Sequence, residues 1–196
     1  MTAPQLDKTN IVAFIADIFE RRGAESYLGE AVSMSEHMLQ GAALAEAEEA
    51  PDELVTAALL HDIGHYTSEF GTMSLGDERD NYHEESGAAV LAPFFPAVIT
   101  ECVRLHVPAK RYLCATDTGY YDRLSEASKH TLALQGGPMS NTEQAEFQAN
   151  PFYREAVRVR VWDDEGKRPG VRTPNFHYYI PLLQRVVDRH ASASAN

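Results

Sequence analysis

Apolar residues recur at helical spacing along most of the chain. Between Ile11 and Phe19 they fall three or four positions apart, and Gly23 follows as a natural helix end. Ser33 and Glu36 have the spacing of a capping box, in which each side chain satisfies a free backbone N–H of the other residue. The pattern predicts a first helix from about residue 11 and a second that ends at about residue 49. Residues 26–30 between them are interpreted as a loop or a frayed helix start.

The third predicted helix begins after Pro51 and continues through His61 to about His65. Its second half is almost wholly apolar, so we expect it to be the most buried helix. Residues 66–82 lack periodicity and contain glycines and a run of charges. A connection of this length is usually a functional lid or disordered.

The remaining patterns are helical as well. A helix is expected from His83 to the break at Pro93, another from about Val98 to its end at Pro108, and later helices over 124–134 and 176–189. Residues 157–162 alternate apolar and basic side chains, so both helix and strand remain open there. The predicted fold class is all-α, with one domain over residues 1–190. The small-residue tail at 191–196 is expected to be disordered.

Composition and charge narrow the range of partners. The chain has 196 residues, 44% of them hydrophobic, with 17 basic and 29 acidic side chains and a formal net charge of −12. These values fit one compact domain and argue against nucleic acid as a partner, because phosphate binding needs a basic face. The two cysteines make no disulfide framework. No membrane span or signal peptide is expected, and we predict a cytoplasmic location.

Histidine and aspartate carry the candidate chemistry. His61 and His65 lie one helical turn apart and are expected to face the same way, with Asp62 beside the first. On its own, this pair is typical of a satisfied core histidine with a capping aspartate. Further candidates occur at or near the ends of other predicted helices: His37, His83, His106 and Asp163.

Such a set suits iron or manganese, which take imidazole and carboxylate ligands, and the lack of cysteine pairs argues against structural zinc. Four histidines and two aspartates can hold two metals if one carboxylate bridges them. We therefore predict a buried metal centre.

The chain resembles the HD-domain superfamily of metal-dependent phosphohydrolases in the order of His37, His61, Asp62 and Asp163. More specifically, it is similar to the HD-type mixed-valent diiron oxygenases that cleave carbon–phosphorus bonds in 1-hydroxyphosphonates. The resemblance covers about residues 25–185. It is carried by the segments YLGE at 27–30, EH at 36–37, LHDIGHY at 60–66, HE at 83–84, HVPAKRYL at 106–113, LSEAS at 124–128, GGPM at 136–139 and RVWD at 160–163.

The resemblance implies a single-domain HD-type helical bundle and a role for each ligand. His37, His61 and Asp163 would hold one iron. Asp62 would bridge it to a second iron, which His83 and His106 also hold. The pair would be Fe(II)/Fe(III), with O2 as co-substrate.

The resemblance also implies roles for three groups beside the metals. Tyr27 would occupy the open position of the second iron at rest and leave when substrate enters. Glu30 would move with it and meet the amino end of the substrate, and closure of this segment would exclude water. His65 would touch the substrate rather than a metal.

A small-molecule organophosphonate is an anion, so local positive charge must overcome the negative net charge. The expected cradle for its three oxygens consists of Lys110, four residues after His106, Arg160, three residues before Asp163, and the neutral donors Ser128, Thr131 and Gln135. Taken singly, Lys110 and Arg160 are more typical of solvated or structural residues.

The substrate's amine is left open between trimethylated and free. A quaternary ammonium prefers aromatic faces and diffuse negative charge. Candidates for such an environment are Tyr27, Tyr66, Phe70 and Tyr82, with the acids Glu30, Glu69, Asp77 and Asp80. We therefore favour 2-(trimethylammonio)-1-hydroxyethylphosphonate, converted to glycine betaine and phosphate. The alternatives are 2-amino-1-hydroxyethylphosphonate giving glycine, an HD-type phosphohydrolase, and a binding module with a relic site.

Overall fold

The computed structural model describes residues 6–27, 29–67 and 80–194. These residues form helices and connecting turns, and the extended contact among them is an isolated bridge between Ser26 and Ser33. The all-α fold class is confirmed. The helices are α1 (Ile11–Arg22), α2 (Met34–Ala47), α3 (Asp52–Leu60), α4 (Gly64–Thr67), α5 (His83–Leu91), α6 (Ala97–Thr116), α7 (Tyr120–Arg123), α8 (Glu126–Leu134), α9 (Asn141–Ala149), α10 (Tyr153–Glu165) and α11 (Phe176–Ala193).

Helices α2, α3, α5, α6 and α10 make the central bundle. Helix α10 packs against α6 and α2, α3 packs against α2 and α6, and α5 packs against α6. Helices α1 and α11 pack on each other, with Phe19 stacked on Phe176 at 4.3 Å between ring centres. The apolar half of α3 is fully buried, as its sequence predicts.

Local sequence signals set several helix ends. The Ser33–Glu36 capping box is present in both directions, and it fixes the start of α2 three residues before His37. The residues around 157–162, open between helix and strand, are helical in α10. Helix α11 continues through Ala193, so residues 191–193 are helical rather than part of the expected tail.

The expected single helix from Pro51 to His65 is interrupted. Helix α3 ends at Leu60, residues 61–63 form a turn, and α4 begins at Gly64. A Cβ on Gly64 would overlap the carbonyl oxygen of His83 and lie 2.8 Å from the backbone nitrogen of Gly87. The glycine therefore allows α4 to pass directly over α5, which brings the 61–65 segment against His83.

Pro108 does not end a helix, contrary to the expectation from its sequence. It lies inside the 20-residue helix α6, which packs against α3, α5 and α10. A proline inside a helix costs about 3 kcal/mol through a lost hydrogen bond and a steric clash. The packing of α6 against three helices offsets this cost. Because α6 is continuous, Lys110 lies one turn beyond His106.

No described helix is long and apolar enough to cross a membrane.

Candidate metal centre

Six side chains converge in the middle of the bundle. His37 comes from α2, His61 and Asp62 from the turn after α3, His83 from the first residue of α5, His106 from α6 and Asp163 from α10. All six are buried, with at most 5% exposure. These are the six metal ligands expected from the sequence, and the structure brings all of them together.

The first set is His37, His61 and Asp163. The Nε2 atoms of His37 and His61 lie 3.0 Å apart. Asp163 Oδ1 lies 3.4 Å from His37 Nε2 and 3.8 Å from His61 Nε2. The three ligand atoms are thus close enough to bind one ion.

The second set is His83 and His106, with Asp62 between the two sets. The Nε2 atoms of His83 and His106 are 3.2 Å apart, and each is 3.3 Å from Asp62 Oδ1. The other carboxylate oxygen, Asp62 Oδ2, lies 3.5 Å from His37 Nε2 and 3.4 Å from His61 Nε2. Each oxygen of Asp62 therefore faces a different pair of imidazoles.

The opposite ring nitrogen of each histidine is held by an oxygen acceptor. Nδ1–H of His37 donates to the carbonyl of Gly166 at 3.0 Å, that of His61 to Ala58 at 2.8 Å, and that of His106 to Val103 at 2.7 Å. A proton on Nδ1 leaves the Nε2 lone pair directed at the centre, as metal binding requires.

His83 differs in having side-chain acceptors. Its Nδ1 lies 3.2 Å from Asn81 Oδ1 and 3.4 Å from Glu84 Oε2. Burial raises the pKa of Glu84 against the opposing effect of His83.

Two lone pairs at 3.0 Å repel each other unless a cation lies between them. The structure contains two such pairs, His37 with His61 and His83 with His106. Asp62 Oδ2 is also buried without a hydrogen bond to any described group. Unpaired buried carboxylate oxygens are costly, so the donor set fits two bound cations.

The ionisation of the centre supports the same conclusion. Burial alone would raise the pKa of Asp62, but the surrounding histidines hold it well below its usual range. Burial likewise opposes ionisation of Asp163, and Arg160 and Lys167 hold its pKa well below normal. Both carboxylates are therefore anionic at neutral pH.

The histidines differ in the number of carboxylates beside them, since His61 lies near both Asp62 and Asp163 and His106 lies near Asp62. Burial lowers the pKa of His61, but Asp62 and Asp163 raise it to about 9. Burial lowers the pKa of His106 to about 4, against the opposing effect of Asp62. A positive charge is thus favoured between the two carboxylates, where the first set of ligands would hold a metal.

A cavity opens beside the second set of ligands. The three groups expected beside the metals and the five expected to cradle the phosphonate all line it: Tyr27, Glu30, His65, Lys110, Ser128, Thr131, Gln135 and Arg160. Asp62, Asp163, His83 and His106 form its inner wall.

Lys110 is the buried cation of this cavity. Its Nζ donates to Thr131 Oγ1 at 2.8 Å, and the Thr131 hydroxyl donates to the carbonyl of Ser128 at 3.2 Å. Burial, together with the nearby Arg160 and Lys167, lowers the pKa of Lys110 to about 7. An anion in the cavity would favour the charged form.

Arg160 is committed to two carboxylates. Its Nη1 donates to Asp163 Oδ2 at 2.6 Å, and its Nε and Nη2 donate to Asp164. Tyr120 also accepts from Nε at 3.1 Å and donates to Asp164. Arg160 therefore orients Asp163 toward the first metal set, in addition to lining the cavity.

Three cavity residues lie close to the ligands. The ring of Tyr27 stacks on His37 at 4.2 Å, and burial, with Asp62 and Asp163, raises the pKa of Tyr27 well above normal. Glu30 Oε1 is buried and has no hydrogen bond to a described group. His65 stacks on His83 at 4.0 Å, and burial and His83 hold the pKa of His65 well below normal.

His61 and His65 do not face the same way as expected from one helix. His61 belongs to the first set, whereas His65 lies outside both sets, beside Asp62 and stacked on His83. The turn at 61–63 is the physical reason, because it removes the one-turn register between them.

The expected aromatic cluster is only partly present. Tyr66 lies under Arg22, whose guanidinium is 4.8 Å from its ring centre, and Tyr82 is 60% exposed. Among the described aromatic candidates, only Tyr27 lines the cavity. Phe70, Glu69 and Asp77 lie outside the described residues, and Asp80 lies beside His83 and Glu84 rather than in the cavity lining.

Lys167 also lies at this site, although it is not among the residues expected from the sequence. Its Nζ lies 3.1 Å from Asp163 Oδ1 and donates to Ser128 Oγ at 3.1 Å. Lys167 lies four residues after Asp163, which is the spacing that places two side chains on one helical face. That spacing is a signal that could have identified it.

Comparison with known proteins identifies the family of the chain. A family model described as HD domain matches residues 31–164, which include all six ligands. The chain belongs to the HD-domain family.

Within that family, the chain is similar to two named oxygenases. It is 57% identical over 189 residues, 96% of both chains, to the 1-hydroxy-2-(trimethylamino)ethyl phosphonate dioxygenase (glycine-betaine-forming) of Leisingera caerulea. It is 45% identical over 161 residues, 79% of this chain and 78% of the relative, to a hydroxymethylphosphonate dioxygenase of Gimesia maris. An uncharacterised protein of Acanthamoeba polyphaga mimivirus is 33% identical over 171 residues, 86% of this chain and 78% of the relative.

Proposed function

We propose that the protein is an O2-dependent dioxygenase of organophosphonates that holds two irons in the Fe(II)/Fe(III) state. Its best substrate is 2-(trimethylammonio)-1-hydroxyethylphosphonate. The hydroxyl-bearing carbon becomes the carboxylate of glycine betaine, and the C–P bond breaks to release phosphate. The observation that carries this proposal is the position of Asp62, whose two oxygens face two separate pairs of buried imidazoles beside a cavity with a buried lysine.

Each metal has its own protein ligands. His37, His61 and Asp163 would hold one iron, His83 and His106 the other, and Asp62 would bridge them. When bound, the irons supply the activation of O2 that removal of a hydrogen from the hydroxyl-bearing carbon requires. The Nδ1 hydrogen bonds of the histidines fix the rings for this task before any metal binds.

The phosphonate end would lie at the lysine side of the cavity. Lys110 supplies charge, and Ser128, Thr131, Gln135 and Arg160 line the same wall. Charge-assisted hydrogen bonds to a dianion are stronger than neutral ones, so this wall sets the orientation of the C–P bond relative to the metals. Gln135 would contribute through its side-chain NH2 group, because only a donor can bind a phosphonate oxygen.

The ammonium end would meet Tyr27 and Glu30. A trimethylated nitrogen donates no hydrogen bonds and is attracted by aromatic faces and by nearby negative charge. Tyr27 and the unpaired oxygen of Glu30 offer this environment in the same cavity. Their movement on substrate entry would free the open position of the second metal and then exclude water. His65, neutral at physiological pH, would contact the substrate without adding charge.

The test compares three substrates on the iron-loaded protein: the trimethylated compound, its free-amine analogue and hydroxymethylphosphonate. We expect phosphate release coupled one-to-one to O2 consumption, with the highest kcat/KM for the trimethylated compound. Preference for the free amine would assign the glycine-forming reaction instead.

A phosphohydrolase is the competing activity, since related HD-domain proteins would share the same metal ligands. Phosphate release that continues without O2 would assign hydrolysis and refute the oxygenase. The absence of a nucleic-acid partner and the cytoplasmic location remain predictions from the sequence.

A further inference from the structure

Lys167 contacts residues of the cavity wall. It follows the end of α10, and only 9% of its side chain is exposed. Its ammonium contacts Ser128 and Asp163, and it lies 5.7 Å from the centre of the Tyr27 ring. All three of these neighbours line the cavity. One cation therefore lies beside a candidate metal ligand, Tyr27 and the anion wall, by which we mean Lys110, Ser128, Thr131, Gln135 and Arg160.

The segment that carries Lys167 is fixed in place. The side chain of Gln40 donates to the carbonyl of Arg168 at 2.9 Å and accepts from its backbone N–H at 3.0 Å. The carbonyl of Gly166 accepts from His37, and a Cβ at Gly166 would lie 3.1 Å from the backbone of both His37 and Gly41. Lys167 is therefore held at a set distance from α2 and the first metal set.

The hydroxyls of Thr131 and Ser128 differ in whether their hydrogen is already used in a hydrogen bond within the protein. The Thr131 hydroxyl accepts from Lys110 and donates to the carbonyl of Ser128, so its single hydrogen is used inside the protein. The Ser128 hydroxyl accepts from Lys167, and among the described residues it donates to none. An ammonium can only donate, so the hydrogen of Ser128 must point away from Lys167.

We propose that Lys167 is a positioning residue for the anion wall. By occupying the lone pair of Ser128 Oγ, it turns the hydroxyl hydrogen of Ser128 into the cavity, toward a phosphonate or phosphate oxygen. Thr131, in contrast, acts by holding Lys110. This inference rests on the proposed function, because it assigns the serine to the phosphonate end of the substrate.

The test measures binding of inorganic phosphate, the proposed product, to the iron-loaded protein by calorimetry. The variants are Lys167→Met, Ser128→Ala and the double variant, with iron content and thermal unfolding determined for each. Lys129→Met is the matched control, because Lys129 neighbours Ser128 in sequence but pairs with Glu126 on the protein surface. Steady-state kcat and KM with the trimethylated substrate are measured in parallel.

We expect each single change to weaken phosphate binding about tenfold, with iron content retained. The double variant should bind about as weakly as either single variant, because both changes remove the same hydrogen bond. KM should rise more than kcat falls, and the control should match the wild type. Ser128→Thr, which retains a hydroxyl, should bind phosphate more tightly in the presence of Lys167 than in its absence.

Three results would overturn the inference. They are an unchanged phosphate affinity in Lys167→Met, single effects that multiply in the double variant, and loss of iron from Lys167→Met but not from Ser128→Ala. The last would show that the contact with Asp163 is what matters. A wild-type protein without O2-dependent phosphate release would instead refute the proposed function, so the two failures are distinguishable.

Discussion

At the level of single residues, the site consists of two pairs of histidines whose Nε2 atoms face each other and of one carboxylate, Asp62, between the pairs. The Nε2 atoms of two histidine pairs lie 3.0 and 3.2 Å apart, and Asp62 presents one oxygen to each pair. Hydrogen bonds from Nδ1 to backbone carbonyls prevent three of these rings from turning away. Positive charge at both positions would relieve the repulsion, which is the physical basis of the proposed two-metal assignment.

Lys110 gives the first prediction at this scale. Lys110→Met should leave the iron content unchanged, because the lysine contacts Thr131 rather than a metal ligand. It should raise KM for the phosphonate by about ten- to a hundredfold, the effect of losing a hydrogen bond to a charged group. Metal analysis and steady-state kinetics check this, with the exposed Lys8→Met as control. Loss of iron in Lys110→Met, or an unchanged KM, would contradict the assignment.

The second prediction is a pH dependence with a defined sign. The pKa of Lys110 is lowered to about 7, so in the free enzyme the cation is lost as pH rises through that value. The kcat/KM for the anionic substrate should therefore fall above about pH 7. Lys110→Arg should shift the fall to higher pH, because guanidinium stays charged. An identical profile in both proteins would exclude Lys110 as the group responsible.

The free energy of unfolding also depends on the protonation of Lys110, but it changes with pH in the opposite direction from activity. The unfolded chain keeps the lysine proton up to about pH 10.5, whereas the folded protein releases it near 7. Between these values the unfolded state binds more protons, so the contribution of Lys110 to stability increases as pH rises and is lost as pH falls toward 7. Bound anion would reduce this effect by favouring the charged form in the folded state.

At the scale of elements, two local features place the ligands. The turn at 61–63 separates His61 from His65, and the continuous α6 aligns His106 with Lys110. Both features depend on tertiary contacts: α4 crosses α5 at Gly64, and α6 packs against three helices.

Gly64 provides the test at this scale. Gly64→Ala should destabilise the protein by about 1–3 kcal/mol or more, the cost of overpacking a tight contact, and should weaken metal binding at Asp62 and His83. The control is Gly41→Ala in α2, where a Cβ would have ordinary contacts at 3.5 Å and helix propensity would improve. Urea unfolding and iron content measure both. Equal stability of the two variants would contradict the close crossing of α4 and α5.

Many of the helices are predictable from the sequence, and the exceptions have physical causes. Periodicity and capping residues predict α1, α2 and the start of α5. The break at 61–63 is not predictable in this way, because an apolar helical run leads into it and Gly64 gains its meaning only from its close contact with the backbone of His83. Pro108 predicts a helix end, but packing of α6 offsets its cost. Within the site, the residue types point to metal, and the spacing of Lys167 from Asp163 is a sequence signal, but the contact of Lys167 with Ser128 becomes known only from the structure.

At the scale of the whole molecule, charge is distributed unevenly. The net charge is −12, yet Lys110, Arg160 and Lys167 are gathered around one cavity and balanced there by Asp163 and Asp164. Binding of an anion is thus a local property that the overall charge does not show. The sequence predicts the cations Lys110 and Arg160, but the extent to which the carboxylates neutralise Arg160 requires the coordinates.

Metal removal gives the prediction for the whole molecule. A ligand present at a hundred times its Kd stabilises the folded state by about 2.7 kcal/mol. For a chain of this size, chelation of the metal should therefore lower Tm by about 5–10 °C. Differential scanning calorimetry with and without chelator, followed by readdition of iron, measures this effect. An unchanged Tm would show that the buried ligands do not depend on bound metal.

The number of irons per chain in the wild type and in Asp62→Ala shows whether Asp62 is shared between two metals. Because one carboxylate faces both sets of histidines, we expect two irons in the wild type and almost none in the variant. A single iron in the wild type, or full iron content in Asp62→Ala, would contradict the shared-aspartate centre.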